Sequence, residues 1–180
     1  MSNPRRNIVL IGFMGSGKSS IGRLVAGRLG FQFVDTDAVV VERAGIEIAG
    51  IFAQHGEAHF RELETAALES MAARDRCVIS TGGGVIVRER NRALLRELGF
   101  VVWLTASEEV IFERVSRNAR RPLLQTENPR ETVAKLLASR EAAYAETAQF
   151  TLDTTNIARA AAAEAVIAEA RRAFSWQSPG

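Results

Sequence analysis

The chain predicts a three-layer α/β/α domain built on a five-stranded parallel sheet. Two observations carry that expectation. Five short apolar runs (8–11, 31–34, 77–80, 100–104 and 150–152) each end in turn or polar residues, and stretches with helical spacing separate them. Strands alternating with helices require crossover connections, which lay helices over both faces of a parallel sheet. The second observation is Gly12-Phe13-Met14-Gly15-Ser16-Gly17-Lys18-Ser19, which fits G-x-x-x-x-G-K-[ST] and falls between the first strand and the first helix. At 180 residues, 47% of them hydrophobic, the chain has enough mass for one domain with a substantial core.

The elements follow in order. Ile8-Val9-Leu10-Ile11 reads as a buried strand, and Ile21, Leu24, Val25 and Leu29 give the next segment an apolar helical face. The glycine-rich turn between them lets backbone N–H groups converge on an anion, with the helix N-terminus adding partial positive charge. Lys18 then reaches the β- and γ-phosphates of a nucleoside triphosphate, and the Ser19 hydroxyl a phosphate-bound Mg²⁺. A dinucleotide fingerprint fits worse, since Ser20 holds its third glycine position and a lysine follows Gly17. Phe60, Leu63, Ala67, Leu68 and Met71 mark a second helical face, and Ala163, Val166, Ile167, Ala170 and Phe174 another. The alanine-rich stretch 158–170 has high helix propensity. Segment 116–130, with Arg120-Arg121-Pro122 and Asn128-Pro129, lacks clean periodicity and reads as a mobile loop. Residues 1–6 and 175–180 read as frayed ends, and no linker divides the chain.

In an open parallel sheet, ligands sit at the carboxyl ends of the strands. Asp35-Thr36-Asp37 follows the second strand: one carboxylate could serve Mg²⁺ through water, the other an acceptor hydroxyl. Helix capping by Thr36 or Asp37 is the alternative, worth about 1 kcal/mol. Thr81-Gly82-Gly83-Gly84 follows the third strand, and three glycines suit a place where backbone must approach a ligand closely. Arg114, Arg117, Arg120 and Arg121 crowd the start of the loop, where arginines can stabilise a transferring phosphoryl group. Arg61, between Glu57 and Glu64, and Arg140, beside Glu141, read by spacing as members of surface ion pairs. His55 and His59 are four apart, but Gly56 intervenes, the glutamate is misplaced for a zinc motif and no third ligand is evident.

Composition excludes several classes. A formal net charge of +2 is too small to argue for nucleic acid or a membrane surface as partner. The lone cysteine, Cys77, lies in an apolar run and reads as a small buried residue, with no disulfide framework possible. No signal sequence or long apolar run appears, so a cytoplasmic protein is expected, and the lack of an exposed apolar stripe predicts a monomer.

Several motifs together resemble the shikimate kinase family. They are the phosphate loop with Met14 before Gly15, Asp35-Thr36-Asp37, Phe60-Arg61-x-x-Glu64, Thr81-Gly82-Gly83-Gly84, Arg121-Pro122-Leu123-Leu124 and Arg140-x-x-x-Tyr144, in that family's order over residues 7–172. The resemblance implies the P-loop fold of nucleoside monophosphate kinases, with a lid at about 116–130. It implies ATP-dependent phosphorylation of the 3-hydroxyl of shikimate, in the chorismate pathway to aromatic amino acids. By the same resemblance, Gly15, Ser16, Gly17, Lys18, Ser19 and Ser20 hold the ATP phosphates, with Ser19 and Asp35 serving Mg²⁺. Asp37 binds the ring hydroxyls and is the candidate base or positioner. Arg61 and Arg140 clamp the carboxylate, Gly82, Gly83 and Gly84 contact shikimate, and Arg121 swings over the phosphates. Where many members place basic residues after the last strand, this chain reads Asp153-Thr154-Thr155-Asn156-Ile157, so Arg114 or Arg117 is expected at the adenine instead. A sibling kinase for gluconate or a nucleoside monophosphate is the nearest rival, and a slow nucleotide switch the more distant one.

Overall fold

The computed structural model describes residues 5–117 and 125–175. Five strands, β1 (Ile8–Ile11), β2 (Gln32–Asp35), β3 (Cys77–Ser80), β4 (Phe100–Thr105) and β5 (Phe150–Asp153), form one parallel sheet in the order β2-β3-β1-β4-β5. The helices are α1 (Lys18–Leu29), α2 (Thr36–Ala44), α3 (Ile48–Glu69), α4 (Glu89–Leu98), α5 (Glu108–Ser116), α6 (Pro129–Thr147) and α7 (Arg159–Ala173), with a 3₁₀ turn at Val85–Val87.

Burial on both faces explains why the strands read as unbroken apolar runs. Ile8 and Leu10 face one side with Val102, packing on Ile21 and Val25 of α1 and Ala163 and Val166 of α7. Val9 and Ile11 face the other with Ile79 and Val101, packing on Leu68 of α3, Leu95 of α4 and Tyr144 of α6. Cys77 is a free thiol buried in this second layer.

Several details depart from the sequence reading, each for a local reason. The second strand begins at Gln32 rather than Phe31, whose N–H still bonds the Ala26 carbonyl of α1 at 2.9 Å. It runs on to Asp35, which pairs in register with Ser80. Leu24 is 37% exposed, because Gly22 lies against the sheet instead: a Cβ there would stand 2.8 Å from Phe33. α3 breaks at Gly56 (φ 81°, ψ 174°), between His55 and His59, whose ring centroids nevertheless lie 4.9 Å apart. Of the segment read as a loop, Ser116 closes α5 and Pro129 opens α6. Residues 118–124, including Arg120 and Arg121, lie outside the described residues.

The chain moves from β1 out to β2, returns through β3, and then crosses to β4 on the far side of β1. That reversal opens a crevice at the carboxyl end of β1, the usual place for a ligand in such a sheet. The loops after β1 and β3 meet there, tied by Thr81, whose Oγ1 and N–H donate to the Leu10 carbonyl at 2.9 and 3.2 Å.

Candidate active site

Gly17 opens α1 in the left-handed region (φ 99°) and supplies no side-chain cap, so the first N–H groups of the helix have no side-chain acceptor. Gly12 must be glycine for a second reason: a Cβ there would stand 2.3 Å from the Leu104 carbonyl oxygen. The loop therefore packs closely on the end of the sheet, and a glycine-rich turn leading into a helix N-terminus is the construction that favours an anion. Lys18 is 8% exposed and donates from Nζ to the carbonyls of Gly12 (2.7 Å) and Phe13 (2.9 Å).

Ser19, one residue on, donates to Asp35 Oδ2 at 3.3 Å and lies 3.5 Å from the Ser80 hydroxyl. Strand register brings these together, since Asp35 and Ser80 end neighbouring strands. Asp35 Oδ1 accepts from the N–H groups of Asp37 (3.0 Å) and Ala38 (3.4 Å). Asp35 is thus the N-cap of α2, so the alternative reading that Thr36 or Asp37 serves only as the cap does not hold. Asp37 is left with a buried Oδ1 that has no hydrogen-bond partner.

The three glycines after β3 gather the remaining groups. None has a positive φ, so backbone freedom does not explain them. Close approach does. A Cβ on Gly82 would stand 2.7 Å from Asp37 Oδ1 and 3.0 Å from Glu64 Oε1; one on Gly84 would stand 2.5 Å from Arg61 Nη1. One on Gly83 would stand 3.2 Å from the Met14 N–H nitrogen of the phosphate loop. Arg140 Nη1 donates to the Gly83 carbonyl at 3.4 Å, and the buried Tyr144 hydroxyl donates to the same oxygen. Asp37, Arg61 and Arg140, scattered in sequence, so converge on one bare turn beside the phosphate loop.

Arg61 is not the surface residue that its spacing predicts. It is 12% exposed and bonds Glu64, itself 1% exposed, at 2.9 Å; only its bond to Glu57 at 3.1 Å is to an exposed partner. Glu64 was legible as an ion-pair partner but not as a buried group, because Gly82, distant in sequence, covers it. Burial pushes the Asp37 carboxyl above the ordinary range, Asp35 adds to the rise, and Lys18 and Arg61 oppose it. Burial likewise raises Glu64, against the pull of Arg61 and with a push from Asp37. A carboxyl raised in the folded state releases its proton more readily when unfolded, so its ionisation disfavours folding by an amount that grows as pH rises above the unfolded value and is complete above the folded one. Asp37→Asn is therefore expected to raise Tm at pH 7.5, and the gain should shrink as pH is lowered from there through the folded value of Asp37. Calorimetry on both proteins across that range tests this.

Asp37, Gly82 and Gly83 bound a cleft of about 640 Å³ that runs past the phosphate loop, Ser20 included, to Arg114, Arg117, Ile157 and Arg159; Arg61 and Arg140 adjoin the glycine turn but are not among the residues that line it. Arg114 is held on three acceptors, donating to the Gly15 carbonyl (3.0 Å), Thr154 Oγ1 (3.3 Å) and the Thr154 carbonyl (3.2 Å). It straps the β5–α7 connection to the phosphate loop. Arg159, the basic residue that sequence reading sought within 153–157, lines the cleft two positions further on, where it opens α7.

The model of the shikimate kinase family matches residues 14–171 of this chain. The chain belongs to the shikimate kinase family. Its shikimate kinase relatives include that of Geobacter metallireducens, 51% identical over 150 residues that span 83% of each chain. The shikimate kinase of Thermodesulfovibrio yellowstonii is 47% identical over 93% of this chain and 96% of its own. The structure of the Acinetobacter baumannii shikimate kinase in complex with shikimate superposes with a TM-score of 0.88 over 98% of this chain and 97% of that one, at 36% identity. In this chain the glycine turn, its two arginines and the phosphate loop meet at the carboxyl ends of the neighbouring strands β1 and β3. Among the described residues, no helix is long and apolar enough to cross a membrane.

Proposed function

We propose that this protein is a shikimate kinase in activity as in family, transferring the γ-phosphoryl group of ATP to the 3-hydroxyl of shikimate in aromatic amino-acid biosynthesis. One observation carries the reading: a carboxylate and two guanidinium groups meet at Gly82–Gly84, directly beside a phosphate-binding loop. Shikimate is a small anion with three hydroxyls, and it needs both kinds of partner. Guanidinium forks match its carboxylate, and a carboxylate accepts from its hydroxyls.

The roles divide by position. Gly15 to Ser20 receive the phosphates, and Lys18 exchanges its loop carbonyls for the β- and γ-oxygens. Arg61 and Arg140 hold the carboxylate, the bare glycine turn lets the ring lie close, and Asp37 accepts from the hydroxyl that attacks. Its unpartnered Oδ1 is an acceptor in need of such a donor. The proton that leaves the hydroxyl is oriented toward, or taken by, this carboxylate, whose raised affinity for protons suits it to either task. Arg121, outside the described residues, is proposed to close over the phosphates from a lid.

Mg²⁺ fits the donor set between α1 and the strand ends. The Ser19 and Ser80 hydroxyls and Asp35 Oδ2 are all oxygen donors within one cluster, which is the chemistry a hard cation prefers. Ser19 and Asp35 would hold it, the latter through water, and it would neutralise charge on the β- and γ-phosphates. The protein is proposed to work as a single-domain cytoplasmic monomer with no nucleic-acid or membrane partner.

The test is ADP release by purified protein with ATP and Mg²⁺, comparing shikimate, gluconate and AMP with no added acceptor. Release that requires shikimate is expected. Equal release with every acceptor would leave a nucleotide-binding domain without this reaction.

A further inference from the structure

A second cavity, of about 250 Å³, lies behind the phosphate loop, between the end of β4, the start of α5 and one side of α6. Phe13, Trp103 and Tyr144 form its aromatic wall, and the rings of Trp103 and Tyr144 are stacked, with centroids 5.5 Å apart and planes 17° from parallel. Its lining holds two carboxylates, Glu108 and Glu141, and, among the described residues, no cationic side chain. Ser16 lines both this cavity and the reaction cleft, is 1% exposed, and carries a buried Oγ with no hydrogen-bond partner.

Aromatic faces beside uncompensated carboxylates select a flat apolar body with a positive charge. The ring quadrupoles and the acids attract the cation together, and the volume admits one ring with a short side chain. A buried hydroxyl without a partner adds a hydrogen-bonding group on the loop side. We propose that this cavity is a second ligand site, for a small protonated aryl-alkyl amine, with its ring against Trp103 and Tyr144 and its ammonium at Glu108 and Glu141.

The site adjoins the walls of the reaction cleft. Phe13, 2% exposed, carries the Arg140 guanidinium 5.6 Å from its ring centre, and Tyr144 donates to the Gly83 carbonyl. An occupant therefore bears on the phosphate loop at Phe13 and Ser16 and on the glycine turn through Tyr144. Binding itself requires no catalytic activity, so its test is independent of the reaction assigned above.

The chain holds two tryptophans, and Trp176→Phe leaves Trp103 as the single reporter. Titration of that protein with 2-phenylethylamine is expected to change Trp103 emission saturably, at about 1 mM for so small a ligand. The response should weaken about tenfold for 3-phenylpropionate, which has a similar ring and reach but the opposite charge, and to a like extent in Glu108→Gln/Glu141→Gln protein. Ala138→Leu, which fills the cavity from the exposed side of α6, should abolish it. A response that never saturates, one equally strong with the anion, or one that survives Ala138→Leu would overturn the proposal.

Discussion

Lys18→Ala is expected to lower kcat by on the order of 10²–10³-fold, with a change in the shikimate KM of roughly threefold or less. The ammonium is nearly buried, and its neighbours are the carbonyls of the loop that receives the phosphates. In that setting, charge that develops on the β–γ bridge and the transferring group has no other lysine to stabilise it, because the cleft is lined by Lys18 alone of that residue type. The interaction strengthens as the bond breaks, so its loss falls on turnover rather than on acceptor binding. Steady-state kinetics with both substrates varied, alongside a thermal melt to confirm the fold, measure this. An unchanged kcat would remove Lys18 from the reaction.

Arg61→Ala should give the opposite signature and add a stability defect. The shikimate KM is expected to rise about 10- to 100-fold, the worth of a charge-assisted hydrogen bond or two, while kcat at saturation falls much less. Removing the guanidinium also strands Glu64, a 1% exposed carboxylate whose 2.9 Å ion pair disappears. Breaking a buried pair in this way costs about 3–5 kcal/mol when the remaining charge must stay ionised. Glu64 is already raised by burial, and without Arg61 it rises further, so it can escape the penalty by taking a proton. The defect should therefore be large at pH 8 and fade as pH falls through the folded value of Glu64. Urea melts at pH 8 and pH 5.5 separate these cases. A KM that does not move would remove Arg61 from the carboxylate clamp, and a pH-independent defect would show that Glu64 is not the group left stranded.

Much of this was legible in the chain. The strand runs, the glycine loop and the α3 and α7 faces follow from periodicities that sequence displays directly, because a doubly covered sheet buries its inner strands on both faces. Lys18, Ser19 and Asp35 were legible too, since each lies within a few residues of a strand end. Arg61 and Glu64 were legible only through the family motif, not through spacing. Their spacing is that of an exposed helical ion pair, and nothing local distinguishes one that a distant glycine turn will cover. The bonding of Thr154 to Arg114 escaped notice for a similar reason: the strap joins segments forty residues apart, and it forms only once β4 and β5 lie side by side.

The sequence by itself determined the alternation of strands and helices, the phosphate loop and the family motifs, because these depend on neighbours along the chain. Tertiary structure alone decided which charges are buried and which oxygens go unpaired. Burial is set by what another segment lays on top, so Gly82 and Gly84, lacking side chains, let Asp37, Glu64 and Arg61 close to within contact of the same backbone. A carboxylate in that position has a different proton affinity from the same residue in water, and that difference arises from the fold.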